Sequence, residues 1–431
     1  MESIEILPTS LRGIVKPPPS KSLSHRGIIA SSLCNGQSSI ENIVLSQDVL
    51  HTCEGLKTLG IDMDYLREDN EDIYSLRIRG NPRLSSRGNT IDCGQSASTL
   101  RFLIPLAAMT GEEISFRGRG SLVSRPLGPY YRIFEDQNIF YETINGGLPL
   151  RIKGTLKPGT FKLPGDISSQ FITGLLFALP LLQGDSKINI IGNLESRGYI
   201  DLTIDVLKEF GIEVENKDYR EFFIRGKQVY KPNNYMVEGD FSQGAFWMVA
   251  GLLGGEIETT NLDTNSLQAD KIIIDIIKKM GGHISIGEEG IVTKASSTRG
   301  IRIDGSQCPD LIPILAVLAS VSQGTTNIVN VKRLRLKESD RLQAMASQLN
   351  ILGARVTELE EELIIEGVNT LRGGLVDSYN DHRIAMALSI ASIKSNQAIT
   401  IRNWNVVDKS YPGFWQDFIK LGGRINGGNM G

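Results

Sequence analysis

A chain of 431 residues with 40% hydrophobic content is long enough for two domains with sizeable cores. A formal net charge of −3 with 22% charged residues excludes a global field drawing it to nucleic acid or an anionic membrane, so an anionic ligand must be held by local clusters. No apolar run reaches membrane-spanning length, and Met1-Glu2-Ser3-Ile4-Glu5 lacks the basic and apolar regions of a signal peptide, so a cytoplasmic protein is expected.

Six times along the chain, a short polar turn runs into an apolar helix and a second, amphipathic helix follows. The turns are Ser20-Lys21-Ser22, Gly94-Gln95-Ser96, Ser168-Ser169-Gln170, Gly239-Asp240-Phe241-Ser242, Gly305-Ser306-Gln307 and Asn380-Asp381-His382-Arg383. Their spacing is roughly 65–75 residues, longer than solenoid repeats, so each unit reads as a small α/β subdomain. The first helices, such as 171–182, 246–253, 311–321 and 384–393, are apolar on most faces and are expected between layers. The second helices stop at Gly60, Gly211, Gly281, Gly353 and Gly422, and in the second unit at Asn138. Gly or Asn supplies the left-handed residue that ends a helix. Alternation predicts strands at 212–215 and 354–357. The repeats divide into two groups of three, with junctions near Lys16-Pro17-Pro18-Pro19 and Tyr235-Met236-Val237-Glu238-Gly239. Cys34, Cys53, Cys93 and Cys308 form no CxxC pair and read as buried, reduced thiols.

Polar residues are densest at the helix starts, where unpaired N–H groups and partial positive charge favour anions. In the first unit, Lys21 and Arg26 flank the hydroxyls of Ser22 and Ser24, which suits a phosphate or carboxylate; ordinary Ser capping with solvated charges explains the same pattern. Arg101 follows the second start and reads alone as a surface residue, while Arg125-Pro126 is expected to open the next helix. Ser168-Ser169-Gln170 and Ser196-Arg197-Gly198-Tyr199 place several polar side chains where a polyhydroxyl ligand could satisfy them, or capping could. Asp310 in Cys308-Pro309-Asp310-Leu311 is either a dipole-stabilised first-turn carboxylate or a general base. In Lys337-Glu338-Ser339-Asp340-Arg341 two cations four residues apart share a helix face, which calls for an anion between them, or for a solvated salt-bridged turn. Asp381 could orient His382, and Lys409 closes the cationic set. Walker A, GxGxxG, HExxH and GxSxG patterns are missing, and four scattered His and four scattered Cys argue against zinc. Lys21, Arg26, Arg101, Arg125, Lys337, Arg341, Arg383 and Lys409 together read as a site for two phosphorylated ligands.

Pro19-Ser20-Lys21-Ser22 with Arg26, Arg125-Pro126, Ser168-Ser169-Gln170, Lys337-Glu338-Ser339-Asp340-Arg341 and Asn380-Asp381-His382-Arg383 resemble the 5-enolpyruvylshikimate-3-phosphate (EPSP) synthase family, in order and over essentially the whole chain. The resemblance implies a two-domain inside-out α/β barrel, the enolpyruvyl transferase fold, with three βαβαββ-type repeats per domain. It implies a discontinuous domain of residues 1–17 plus 238–431, an inserted domain of 18–237, and an active site in the cleft between them. The implied reaction transfers the enolpyruvyl group of phosphoenolpyruvate to the 5-hydroxyl of shikimate 3-phosphate and releases phosphate, on the shikimate route to chorismate and aromatic amino acids. The implied enzyme is a monomer with no cofactor or metal, and with no nucleic-acid or membrane partner.

Carried over by resemblance, Lys21, Gln95, Ala97, Ser98, Arg125, Gln170, Arg341, His382, Arg383 and Lys409 would bind phosphoenolpyruvate. Lys21, Ser22, Arg26, Ser168, Ser169, Gln170, Ser196, Asp310 and Lys337 would bind shikimate 3-phosphate. Asp310 would take the 5-hydroxyl proton, Glu338 would protonate the methylene carbon, and Lys21 is a further proton-transfer candidate. Where many relatives have Asn-Ala-Gly-Thr, this chain has Gln95-Ser96-Ala97-Ser98. Gln95 is a longer side chain, and the Ala97 methyl is a steric block to glyphosate, which implies reduced sensitivity to it. Arg333 stands where relatives often carry Asn. The related transferase acting on UDP-N-acetylglucosamine normally offers a loop Cys, and 118–125 contains none. A silent binding protein is disfavoured because every carried-over acid, base and cation is present.

Overall fold

Five of the six polar turns cap a helix in the computed structural model, which describes residues 2–68 and 72–427. The helices are α1 (Lys21–Ser32), α2 (Gln47–Thr58), α3 (Ala97–Thr110), α4 (Gly128–Gln137), α5 (Ser169–Ala178) and α6 (Arg197–Glu209) in the first half. They continue as α7 (Phe241–Gly254), α8 (Ile273–Lys279), α9 (Ile312–Ser320), α10 (Arg341–Ile351), α11 (His382–Ala391) and α12 (Phe414–Lys420). Side chains of Ser20, Ser96, Ser168, Asp240 and Asp381 accept from the backbone N–H of Leu23, Thr99, Gln170, Gln243 and Arg383, filling part of each helix's unmet donor set.

The fifth start departs from expectation. Residues 305–307 do not cap α9; Asp304 Oδ1 instead accepts the Ser306 N–H at 2.9 Å in a turn. A 3₁₀ turn, Pro309–Leu311, then leads into α9 without a side-chain cap, and Asp310 lies in that turn. Arg125-Pro126 also fails to open α4. The proline ring forces Arg125 into an extended conformation (φ −66°, ψ 138°), and the helix begins at Gly128 with Pro129 in its first turn. At the even-numbered helix ends, Gly60, Gly211, Gly281, Gly353 and Gly422 all take positive φ, and Asn138 does so after α4.

The odd-numbered helices are enclosed; Phe241 to Leu253 of α7 are all buried. The even-numbered ones bury one stripe, as with Ile200, Leu202, Thr203, Val206 and Leu207 of α6. All four cysteines are buried and unpaired by disulfides.

The chain divides into two units, Met1–Pro18 with Gly239–Gly431, and Pro19–Glu238. Each has its own core and, among the described residues, three four-stranded sheets. Every sheet has one parallel pair followed by two antiparallel pairs. In the inserted unit, Thr90–Asp92, Ile114–Arg117, Gly147–Lys153 and Phe140–Ile144 form one sheet, and Thr160–Pro164, Ser186–Ile191, Glu221–Ile224 and Glu215–Lys217 another. The third is completed from the unit's far end. Asn234–Met236 lies parallel to Gly36–Ile43, with Tyr235 opposite Ile40.

The discontinuous unit closes the same way with N-terminal strands. Arg12–Val15 pairs in parallel with Glu256–Thr260. Ser3–Leu7 lies between Ile399–Arg402 and Arg424–Asn426, so the two ends of this unit's sequence share one sheet. The strand expected at 212–215 starts only at Glu215. Upstream, the Gln228 side chain takes over the backbone of Glu213, accepting from its N–H at 2.8 Å and donating to its carbonyl at 3.0 Å. The strand at 355–358 forms as expected.

Candidate active site

In the inserted unit, candidate side chains gather at the starts of α1, α3, α5 and α6. Lys21 opens α1 and its Nζ lies 2.8 Å from Asp48 Oδ2 in the first turn of α2. Arg26 is buried one turn on. Its Nε donates to Thr203 Oγ1 at 2.9 Å, and its terminal nitrogens donate to the carbonyls of Ser22 and Tyr199, tying α1 to the start of α6. Ala97 is the first residue of α3 and is buried. A Cβ placed on Gly120 would stand 3.2 Å from Gln95 Oε1, which puts the Gln95 amide against that loop.

Ser98 Oγ accepts from Gln170 Nε2 at 3.0 Å, and Gln170 Oε1 accepts from Arg101 Nη1 at 2.8 Å. Ser168 Oγ accepts from the Gln170 N–H at 3.3 Å and lies 3.4 Å from Arg101 Nη1. Arg101 is therefore no surface residue. It is buried, lies over the Phe171 ring at 4.7 Å, and joins two expected site residues, Ser168 and Gln170. Arg125 is buried with Nη2 3.5 Å from Ser121 Oγ, and Ser169 is buried at the start of α5. Ser196 precedes α6 with φ 55°, a left-handed conformation uncommon for a residue with a Cβ.

His25, also on α1, is buried neutral. Burial, against the attraction of Asp48, lowers its pKa from 6.5 to about 3. A folded-state value below the unfolded one gives stability that is complete above pH 6.5 and is lost as pH falls towards 3. Between pH 7.5 and 5 this costs about 2 kcal/mol at 1.36 kcal/mol per unit. Urea unfolding at the two pH values measures it, and His25→Asn will shrink the difference; an unchanged difference assigns the acid sensitivity to other groups.

In the discontinuous unit the site is built around one guanidinium. Arg341, the first residue of α10, has a side chain 1% exposed. Its Nη1 donates to Asp310 Oδ1 at 2.9 Å, its Nη2 to Glu338 Oε2 at 2.8 Å, and its Nε to Asp381 Oδ2 at 2.8 Å. Arg383 Nη2 donates to the other Asp310 oxygen at 3.0 Å, and Lys337 Nζ lies 3.5 Å from Oδ1. Lys409, buried at the end of a 3₁₀ turn, places Nζ 3.8 Å from Glu338 Oε1. Arg333 Nη2 donates to the Ser306 carbonyl at 2.5 Å.

The anion expected between Lys337 and Arg341 is thus Asp310. The two cations do not share a helix face, because Lys337 is extended and outside α10. Asp381 orients Arg341 and not His382. It accepts from Arg341 Nε, Ser339 Oγ and the Arg383 N–H, whereas His382 Nδ1 is 3.8 Å away, beyond hydrogen-bond reach.

Burial alone would raise the Asp310 carboxyl, but Arg383, Lys337 and Arg341 together outweigh it and hold it well below the usual range. Asp310 is therefore an ionised base at neutral pH. Burial lowers the Lys337 ammonium to about 8, with Asp310 opposing. Asp48 and Asp270 escaped the sequence analysis. Both are acidic residues in first turns away from the six odd-numbered helix starts, and Asp270, bonded by the Ser242 hydroxyl, is pushed up to about 7 by burial and then by Asp310.

The profile of the EPSP synthase family, 3-phosphoshikimate 1-carboxyvinyltransferase, matches residues 7–418. The chain belongs to the EPSP synthase family. It is 54% identical to a 3-phosphoshikimate 1-carboxyvinyltransferase of Clostridium novyi (strain NT) and 53% identical to one of Clostridium acetobutylicum, each alignment covering 100% of both chains. An EPSP synthase structure from Acinetobacter baumannii superposes with a TM-score of 0.82 at 25% identity, covering 99% of this chain and 100% of that one. The repeated sheets and capped helices described above are thus the enolpyruvyl transferase fold of the EPSP synthase family. Among the described residues, no helix is long and apolar enough to cross a membrane.

Proposed function

We propose that this chain transfers the enolpyruvyl group of phosphoenolpyruvate to the 5-hydroxyl of shikimate 3-phosphate, with the residues of both units in the roles that follow. The observation that carries the assignment is the Arg341 guanidinium bridging Asp310 and Glu338, one carboxylate held ionised and the second three residues before the arginine. Asp310 takes the 5-hydroxyl proton as that oxygen bonds to C2 of phosphoenolpyruvate. Glu338 gives a proton to the methylene carbon. In the second half, the bond from C2 to the phosphate oxygen breaks, the methyl carbon returns a proton to Glu338, and phosphate leaves with the proton that Asp310 took from the hydroxyl. Arg341 and Lys409 stabilise the Glu338 carboxylate left by the first step. Lys21, Arg125, Arg341, Arg383 and Lys409 supply the cations for phosphoenolpyruvate, with Gln95, Ala97, Ser98, Gln170 and His382 shaping its place. Ser22, Arg26, Ser168, Ser169, Gln170, Ser196 and Lys337 serve shikimate 3-phosphate. Addition and elimination exchange protons and phosphate without redox electrons.

Phosphate release from the purified protein tests the assignment, with phosphoenolpyruvate and either shikimate 3-phosphate or UDP-N-acetylglucosamine. Release with shikimate 3-phosphate alone supports it. Release with the nucleotide sugar alone would leave the fold standing and overturn the substrate.

The Ala97 methyl narrows the phosphoenolpyruvate place against glyphosate, which is the longer molecule. At fixed phosphoenolpyruvate, Ala97→Gly will lower the glyphosate concentration for half inhibition by about tenfold or more, the scale of one misplaced carbon in a fitted pocket. Strong inhibition of the unmodified enzyme sinks this reading.

A further inference from the structure

A buried polar seam runs beneath the start of α3. His25 Nδ1 on α1 lies 2.7 Å from Thr52 Oγ1 on α2, and Thr52 Oγ1 lies 2.6 Å from Thr99 Oγ1 on α3. Thr99 Oγ1 in turn donates to Ser96 Oγ at 2.7 Å, and Ser96 also accepts the Thr99 N–H as the cap of α3. The Asp48 carbonyl lies 3.3 Å from Thr99 Oγ1, while the Asp48 carboxylate holds Lys21. His25, Thr52, Thr99 and Ser96 are each no more than 1% exposed.

The protons in this seam have a direction. Among the described residues, His25 Nε2 is buried with no hydrogen-bond partner. A buried orphan N–H costs more than a buried orphan lone pair, so the proton sits on Nδ1 and is given to Thr52. Thr52 then donates to Thr99, and Thr99 to Ser96. The Thr52 and Thr99 hydroxyls are each both donor and acceptor, and the bonds reinforce one another. The seam holds the first turn of α3 from below, while Gln170 holds Ser98 on the same turn. Ala97 lies between the two attachments.

We propose that Thr52 is a positioning residue that fixes the first turn of α3, so that affinity for phosphoenolpyruvate depends on a hydroxyl that never touches it. The proposal rests on the reading that phosphoenolpyruvate binds at the α3 start. Thr52→Val keeps the side-chain shape and removes the link. It will raise the KM for phosphoenolpyruvate about fivefold, the size of one buried hydrogen bond, and move the KM for shikimate 3-phosphate by less than about twofold. Thr52→Ser, which restores the hydroxyl, will restore both values. Ser96→Ala cuts the seam at its other end and gives the same split if the valine variant does not fold. Ala97→Leu is the control for the underlying reading, because bulk at that position must raise the KM for phosphoenolpyruvate. If Ala97→Leu acts and Thr52→Val leaves both KM values unchanged, or raises them together, Thr52 has no positioning role and the site reading stands. If Ala97→Leu leaves the KM for phosphoenolpyruvate unchanged, the site reading falls and the proposal with it.

Discussion

Glu338→Gln will lower kcat by about a hundredfold to ten-thousandfold, the usual worth of a positioned acid–base group, while the affinity for shikimate 3-phosphate stays within about threefold. The reason is local. The carboxylate spends Oε2 on Arg341 at 2.8 Å and turns Oε1 towards Lys409 at 3.8 Å. Glutamine has the same shape and keeps an oxygen for Arg341, so the guanidinium stays where Asp310 and Asp381 need it. What glutamine cannot do is give up a proton to carbon and take it back. Titration of shikimate 3-phosphate into the variant, beside single-turnover phosphate release, separates the two effects. Equal loss of binding and turnover would mean that Glu338 builds the site and does not carry the proton.

Arg341→Met will cost about 3–5 kcal/mol of stability at pH 7.5, because it removes the partner of a buried charge cluster and leaves the charges behind. Asp381 has a fully buried side chain, and those of Asp310 and Glu338 are largely buried. The sign of the pH dependence distinguishes this from lost packing. In the parent, Asp310 titrates well below the usual range, so its stabilisation is intact above the ordinary carboxylate pKa and is lost only as pH falls through the depressed value. In the variant, orphaned buried carboxyls titrate above their unfolded values, so the folded form gains protons and relative stability as pH falls. The gap between parent and variant in urea unfolding will therefore narrow from pH 7.5 to 5. A constant gap would assign the loss to packing alone. Arg341→Lys will recover only part of it, since an ammonium cannot reach three carboxylates in the fixed fork of a guanidinium.

These two residues also show what sequence can and cannot reveal. The capped starts of α1, α3, α5, α7 and α11 were legible because a cap and its helix lie within four residues of each other. So were the glycine ends of the even-numbered helices. The expectation failed where a distant side chain intervened. Gln228 diverted the backbone at Glu213, 15 residues before it. The cations were identified as cations, but their partners were not. Lys21 finds Asp48 across 27 residues and Arg341 finds Asp381 across 40. Nothing in the spacing announces a pair made across the two helices of one repeat, as with Lys21 and Asp48, or across two repeats, as with Arg341 and Asp381. For the same reason Arg101 could be counted among the cations, but its meeting with Gln170, 69 positions away, could not be read.

The closure of the sheets bears on how the protein is made. The inserted unit can complete itself early, because the Ser20 N–H already meets the Glu238 carbonyl at 2.8 Å. The other unit cannot. Ser3–Leu7 pairs Ile6 with Ile425, which is synthesised long after it. At about 5–20 residues per second, that strand waits on the order of 20–80 s for its neighbours to be synthesised. During the wait it is an unpaired edge with two isoleucines, interrupted by Glu5 and followed at once by Pro8, the kinds of residue that discourage pairing with a stranger.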